Sequence, residues 1–281
     1  MSNDAHVLTY FNVPGRGESV RLMLTLGGSE FENNYIPLRI PLENPAGVNP
    51  APFDDGSWGI LKPNTPWGTL PTLTLPDGRT IGQQRSILRF LAKQTTYQGK
   101  SLYPTDPYSS AVVDGFMDML EDIWPILLGD PTSIDKAPLY STLMGLGVLY
   151  EFLEPRMEVG SGDLAMQFDF LEKAISDEGV FITGDDLSCA DILLFAAIPW
   201  WGAGVFGSME PMLRERPKIE RVINAVAALE PVRTYYSTHK AARANLPKVG
   251  STDYSDSVSY THLRAHETSL HIVCRLLLEK K

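Results

Sequence analysis

The chain has 281 residues, of which 43% are apolar and 21% charged, and its formal net charge is −10. This composition describes a globular protein of one or two domains with material for a sizeable core, and its acidic balance excludes a nucleic-acid backbone or an anionic membrane surface as the expected partner. The 2 cysteines, Cys189 and Cys274, show neither metal-type nor C-x-x-C spacing, which excludes a disulfide scaffold and a dithiol reductase and fits a reducing, cytoplasmic setting.

The first residues, M-S-N-D-A-H, hold no basic region followed by an apolar run, so no signal peptide is expected. Val7–Asn12 reads as a first strand that ends at Val13-Pro14-Gly15. Arg16–Leu26 is predicted to be an amphipathic helix with Val20, Met23 and Leu24 on one face, stopped by Gly27-Gly28. Phe31–Ile36 reads as a second strand. From Pro37 to Pro66 the chain is rich in Pro, Gly, Asn and Asp, which predicts an irregular loop.

Thr72–Leu75 alternates Thr with Leu, the period of a half-buried strand. Pro76-Asp77-Gly78 supplies the turn residues and Thr80-Ile81 the return strand. After Gly82 a helix is expected, with Ile87, Phe90 and Leu91 facing inward. This arrangement creates a usable edge. A cis peptide at Leu70-Pro71 would leave the Leu70 N–H and C=O open to a ligand. The N–H groups of Gln83 and Gln84 begin the helix, where an anion such as a carboxylate is favoured. A peptide-like ligand with a carboxylate fits both.

Gln94–Asp106 reads as a linker. Helix resumes at Pro107, with Val113, Phe116, Met117 and Leu120 inward, an acidic outer face, and an end or kink at Pro125. Further helices are predicted over Leu139–Leu153 and Leu164–Ile175. Ser188-Cys189-Ala190-Asp191 is a capping box flanked by Leu187 and Ile192 at staple positions, and the following Ile192–Ile198 is apolar all round, as in a buried central helix. The apolar run that starts there is broken by Pro199, Gly202 and Gly204, and it falls short of the roughly 18 to 20 residues needed to span a membrane. A last helix is expected over Pro217–Ala228 with Ile219, Val222, Ile223 and Val226 inward. Ser257–Thr268 resembles a translated sequencing adapter, so residues 257–281 are read as a non-native tail.

Several short motifs occur here in one order: Tyr10-Phe11-Asn12, then Gly15-Arg16, Trp58 with Lys62, Pro66-Trp67-Gly68-Thr69-Leu70-Pro71, and Gln83-Gln84. In order and spacing they resemble the glutathione-binding half of a cytosolic glutathione transferase, most of all the sigma class. The resemblance runs over roughly residues 6 to 245. It implies a thioredoxin-like α/β domain over 5–93 and an all-α helical domain over 104–247. It further implies a homodimer, glutathione as co-substrate and small hydrophobic electrophiles as partners. A glutathione-dependent isomerase is a subclass it allows, and a non-catalytic structural or ligand-carrying relative, as among lens crystallins, is the alternative.

The chemistry asks for a thiolate from a thiol whose pKa is near 8.5. A neutral phenol donating to sulfur favours the charged form, and lowering the thiol pKa by about two units takes roughly 2.7 kcal/mol. The resemblance gives that role to Tyr10, with Arg16 steadying the charge. Trp58 and Lys62 would hold the glycine carboxylate, Thr69, Leu70 and Pro71 the cysteinyl backbone, and Gln83 the γ-glutamyl group. Gln84 departs from the family pattern, which has serine or threonine there, and its longer amide must fold back. Asp122, beside Asp118 and Glu121, would reach the γ-glutamyl amine from a second subunit. The electrophile would lie between Phe11, Val13 and the first helix of the second domain. Without the flanking motifs, Tyr10 is a half-buried strand tyrosine, Trp58 a core residue and the acidic cluster a solvated helix face.

Overall fold

In a computed structural model of the chain, residues 5–11, 14–36, 57–128, 154–202 and 210–238 are described. The first half builds a four-stranded sheet of order β2-β1-β3-β4 from β1 (His6–Phe11), β2 (Phe31–Ile36), β3 (Thr72–Thr74) and β4 (Thr80–Gly82). Strand β1 runs parallel to β2 and antiparallel to β3, and β3 forms a hairpin with β4. The hairpin closes as its turn residues dictate: Gly78 has φ of +86°, and its N–H donates to the Leu75 carbonyl at 2.9 Å.

Helix α1 (Gly15–Leu26) connects the parallel pair, and α3 (Gln84–Ala92) follows β4. α1 is not the one-sided amphipathic helix its pattern predicts. Leu22, Glu18, Ser19 and Arg21 are buried along with Val20, Met23 and Leu24, because the sheet and α3 pack on it together with two helices of the second half. Its charged residues pair internally: Arg21 and Glu18 form a buried ion pair at 2.9 Å, and Arg21 Nε donates to Asn33 Oδ1 at 2.9 Å. In α3 the buried set is Gln84, Ile87, Leu88, Leu91 and Ala92, whereas Phe90 is half-buried. Two turns of helix replace part of the expected loop: α2 (Ser57–Leu61) and a 3-10 turn (Lys62–Asn64). The expected linker contains a small hairpin, β5 (Thr96–Tyr97) with β6 (Lys100–Ser101), and Leu102 after it is fully buried.

The second half is helical: α4 (Pro107–Leu128), a 3-10 turn (Glu154–Met157), α5 (Asp163–Ala174), α6 (Cys189–Gly202), α7 (Glu210–Arg214), α8 (Pro217–Ala227) and α9 (Glu230–Thr238). α4 continues through Pro125 to Leu128 rather than ending there. α6 is buried on every side from Cys189 to Ile198 and packs against α1, α3, α4 and α8. Its start is fixed by Asp191, whose carboxylate accepts the Ser188 N–H at 2.8 Å, the Ser188 hydroxyl at 2.6 Å and the Ile182 N–H at 2.7 Å. Asp191 thus reaches back as a capping box requires, but the Ser188 hydroxyl donates to it instead of accepting from the helix. Helices α7 and α9 are additions to the helices that the sequence pattern predicts. In α9, Tyr235 and Tyr236 are buried against the α1 side of the core.

The halves are joined by more than apolar packing. Arg89 of α3 meets Asp114 of α4 at 2.6 Å, Arg85 pairs with Asp118, and the Tyr103 hydroxyl donates to Asp114 at 2.9 Å. No described helix is long and apolar enough to cross a membrane. The predicted loop residues 37–56, the helix over 139–153 and the tail 257–281 lie outside the described residues.

Candidate functional site

The sheet register draws the expected site residues to one edge. Thr9 pairs with Thr72, and Thr72 with Gly82. One step further along each strand stand Tyr10 on β1, Pro71 ahead of β3 and Gln83 after β4. The Leu70–Pro71 peptide is cis. Gln83 is exposed and has φ of +72°, a left-handed conformation uncommon for a non-glycine residue, immediately before the first turn of α3. It turns the chain abruptly from strand into helix and leaves the helix N-terminus at the sheet edge.

Tyr10 is buried, and its ring is clamped by the first turn of α1. A Cβ at Gly15 would lie 2.7 Å from the Tyr10 hydroxyl, and one at Gly17 would lie 2.6 Å from ring atom Cδ1. Only glycines permit this approach, and Gly15 also has φ of +41°. The Tyr10 hydroxyl accepts the Arg16 N–H at 3.0 Å. That N–H is one of the donors a helix N-terminus leaves without an intrahelical partner. Burial pushes the phenol pKa above its ordinary value, while the Arg16 hydrogen bond and the positive charges of Arg16 and Arg21 oppose the rise. Tyr10 is therefore neutral at pH 7. With its oxygen accepting from Arg16, its proton is available to a neighbouring anion.

Arg16 turns its guanidinium toward the helical half. It pairs with Glu121 of α4 and lies 4.7 Å over the Trp124 ring. Phe11 links Tyr10 to the next residue of the site, with ring centroids 5.6 Å from Tyr10 and 6.1 Å from Trp58, both edge-on. Trp58 on α2 is half-buried and Lys62, one turn later, is exposed. The Lys62 side chain passes Gly68, whose added Cβ would find Lys62 Cε at 3.6 Å. Thr69 is exposed and Leu70 half-buried beside them.

Two expected residues stand elsewhere. The Gln84 side chain is not directed at a ligand. It is buried, and its amide donates to the Ser19 hydroxyl of α1 at 2.8 Å, leaving the backbone as this residue's contribution to the sheet edge. Asp122 is exposed on α4, while its neighbours Glu121 and Asp118 are engaged by Arg16 and by Arg85. Asn12 and Val13 lie outside the described residues. Sequence reasoning overlooked Gly17, Ser19 and Trp124. The two glycines flanking Arg16 were the available signal for the first, whereas Ser19 and Trp124 carry none. A cavity of about 520 Å³ between α4 and α5, lined by Val112, Phe116, Met119, Phe170 and Leu171, shares no residue with this edge.

Comparison with known proteins agrees with the geometry. Residues 151–239 match the family profile described as the glutathione S-transferase C-terminal domain. The chain is similar to a probable glutathione S-transferase 7 of Caenorhabditis elegans, 34% identical over 121 residues, which is 43% of this chain and 50% of that protein. It is also similar to glutathione S-transferase 1 of Ascaris suum, 27% identical over 222 residues, covering 76% of this chain and 89% of the relative. Among solved structures, prostaglandin synthase D of Nilaparvata lugens superposes with a TM-score of 0.59 at 20% identity, over 84% of this chain and 98% of that one. Fold and site together define a thioredoxin-like α/β domain joined to an all-α domain, with a buried tyrosine closing the first strand. Residues 151–239 carry the glutathione S-transferase C-terminal domain, and over most of its length the chain is similar to glutathione S-transferases.

Proposed function

We propose that this protein conjugates reduced glutathione to small hydrophobic electrophiles, with Tyr10 as the residue that holds the thiolate. One observation carries the reading: a buried, neutral phenol whose oxygen is held on the Arg16 N–H at 3.0 Å, so that its own proton is left to donate. On binding, the glutathione thiol releases its proton to solvent and the Tyr10 hydroxyl donates to the resulting sulfur anion. The thiolate then attacks the electrophilic carbon, and the leaving group departs with the bonding pair. One charge-assisted hydrogen bond contributes about 1.5–3 kcal/mol, the size needed to lower the thiol pKa by about one to two units.

In this reading Trp58 and Lys62 hold the glycine carboxylate, and Thr69, Leu70 and Pro71 bind the cysteinyl backbone. Gln83 and the α3 N-terminus take the γ-glutamyl end. Arg16, anchored by Glu121 and Trp124, lends positive charge beside the sulfur. The protein works as a sigma-like homodimer in which Asp122 of a second copy meets the γ-glutamyl amine, and as a cytoplasmic protein, where glutathione is kept reduced. The same thiolate, adding to a substrate and leaving again, would serve a glutathione-dependent isomerase.

The test is a glutathione titration followed by conjugation of a chloronitrobenzene, with the wild type and Tyr10→Phe. Binding at millimolar glutathione or below is expected, with turnover at pH 7 falling about 10- to 100-fold in the variant. Absence of binding at millimolar levels overturns the proposal in favour of a non-catalytic relative. Binding with undiminished turnover in Tyr10→Phe removes the role of Tyr10.

A further inference from the structure

Gln84 opens α3 at the sheet edge, a position from which a side chain can reach solvent or a ligand. It does neither. A long, flexible side chain is held inside at the cost of its rotamer freedom, and a buried amide requires a partner. That partner is Ser19, fully buried on α1 and distant in sequence, whose hydroxyl accepts from Gln84 Nε2 at 2.8 Å. The Ser19 hydroxyl in turn donates to the Arg16 carbonyl at 3.3 Å. The same residue, through its N–H, donates to the Tyr10 hydroxyl at 3.0 Å. The hydrogen bonds Gln84–Ser19 and Ser19–Arg16, followed by Arg16–Tyr10, thus link the N-terminus of α3 to the phenol.

We propose that Gln84 is a positioning residue: through Ser19 it ties the N-terminus of α3 to the first turn of α1 and so holds the Arg16 N–H on the Tyr10 oxygen. The inference rests on the glutathione reading for its consequence but not for its geometry. The α3 N-terminus then receives the γ-glutamyl carboxylate through backbone N–H groups, and the side chain at this position serves the thiol end of the ligand instead. An anion docking on α3 fixes the helix on which Gln84 stands, and with it the turn that holds the phenol. Recognition of one end of glutathione and activation of the other are thereby coupled through a buried contact.

The experiment uses the full chain as wild type, Ser19→Ala, Gln84→Ala and the double variant. In ligand-free protein, amide hydrogen exchange at Arg16 reads the turn directly. Each single variant is expected to exchange at least about tenfold faster, with no further increase in the double variant, since the two side chains act through one contact. With glutathione, the pH midpoint of thiolate formation, followed by its ultraviolet absorbance, is expected to rise by about half a unit or more in both single variants. Ser19→Thr, which keeps the hydroxyl, is expected to behave as wild type. Where the alanine at 19 prevents folding, Ser19→Cys keeps the shape of the side chain, fills the site and offers only a weak acceptor, and is expected to give the same two shifts. Unchanged Arg16 exchange overturns the proposal, as does an unchanged pH midpoint accompanied only by a lower melting temperature. Faster Arg16 exchange in a protein that forms no glutathione thiolate even as wild type upholds the brace and overturns the transferase reading alone.

Discussion

Replacing Gly17 with alanine pits helix propensity against the positioning of Tyr10. Gly17 lies inside α1 with ordinary helical φ, so alanine there gains up to about 1 kcal/mol of helix propensity. The new Cβ, however, lies 2.6 Å from Tyr10 Cδ1, 2.8 Å from Cγ and 3.2 Å from Cβ. Carbon atoms settle at about 3.5–4.0 Å, so the ring or the turn must shift by about 1 Å. The ring has little freedom to do so, because its hydroxyl is held by Arg16 and its other side meets Phe11. Overpacking of this kind costs about 1–3 kcal/mol. The net stability loss is therefore small, no more than about 2 kcal/mol. Catalysis is more sensitive, since a 1 Å misplacement can lower a rate about 100-fold. Gly17→Ala is thus expected to lose about two orders of magnitude in kcat/KM for glutathione conjugation while its midpoint of urea unfolding falls by no more than about 1 M. Activity within threefold of wild type would refute the claim that this glycine sets the position of the phenol.

Asp191→Ala strips the acceptor from two buried N–H groups and a buried hydroxyl, and is expected to cost about 3–5 kcal/mol in urea unfolding; a loss below about 1 kcal/mol contradicts the anchoring role. Burial pushes the Asp191 carboxyl up to about 6, against the hydrogen bonds from Ser188 and Ile182. Its folded pKa exceeds the unfolded value of about 4, so the folded state binds the extra proton between those values. The stability of wild type relative to Asp191→Asn should accordingly be greatest below about pH 4, decline as pH rises to 6 and level off above it. Denaturation of both proteins across that range checks the sign. Arg85→Ala breaks a half-exposed pair whose partner Asp118 keeps Arg89 at 3.5 Å, so its cost should stay below about 1 kcal/mol and shrink in high salt.

The residues with chemical or conformational specificity were legible in the linear chain. Pro76-Asp77-Gly78 forms the turn its composition demands, Ser188 and Asp191 start the helix they predict, and the run from Ile192 to Ile198 is buried on all sides. The common placement of the proposed site residues was legible for the same reason: Tyr10, Leu70-Pro71 and Gln83 lie at strand ends, and the period of a strand carries such positions to a common edge once the register is set. What the chain alone misjudged depends on neighbours distant in sequence. α1 reads as one-sided because Glu18 and Arg21 are polar, yet the sheet, α3, α6 and α9 enclose it, and the two charges form an ion pair inside. Gln84 reads as a ligand contact, and its side chain turns inward because Ser19 faces it across the core. Local sequence fixes backbone conformation and periodicity, which act over a few residues. Which polar groups meet is decided only when packing removes water, because a buried donor must then take whatever acceptor the fold presents.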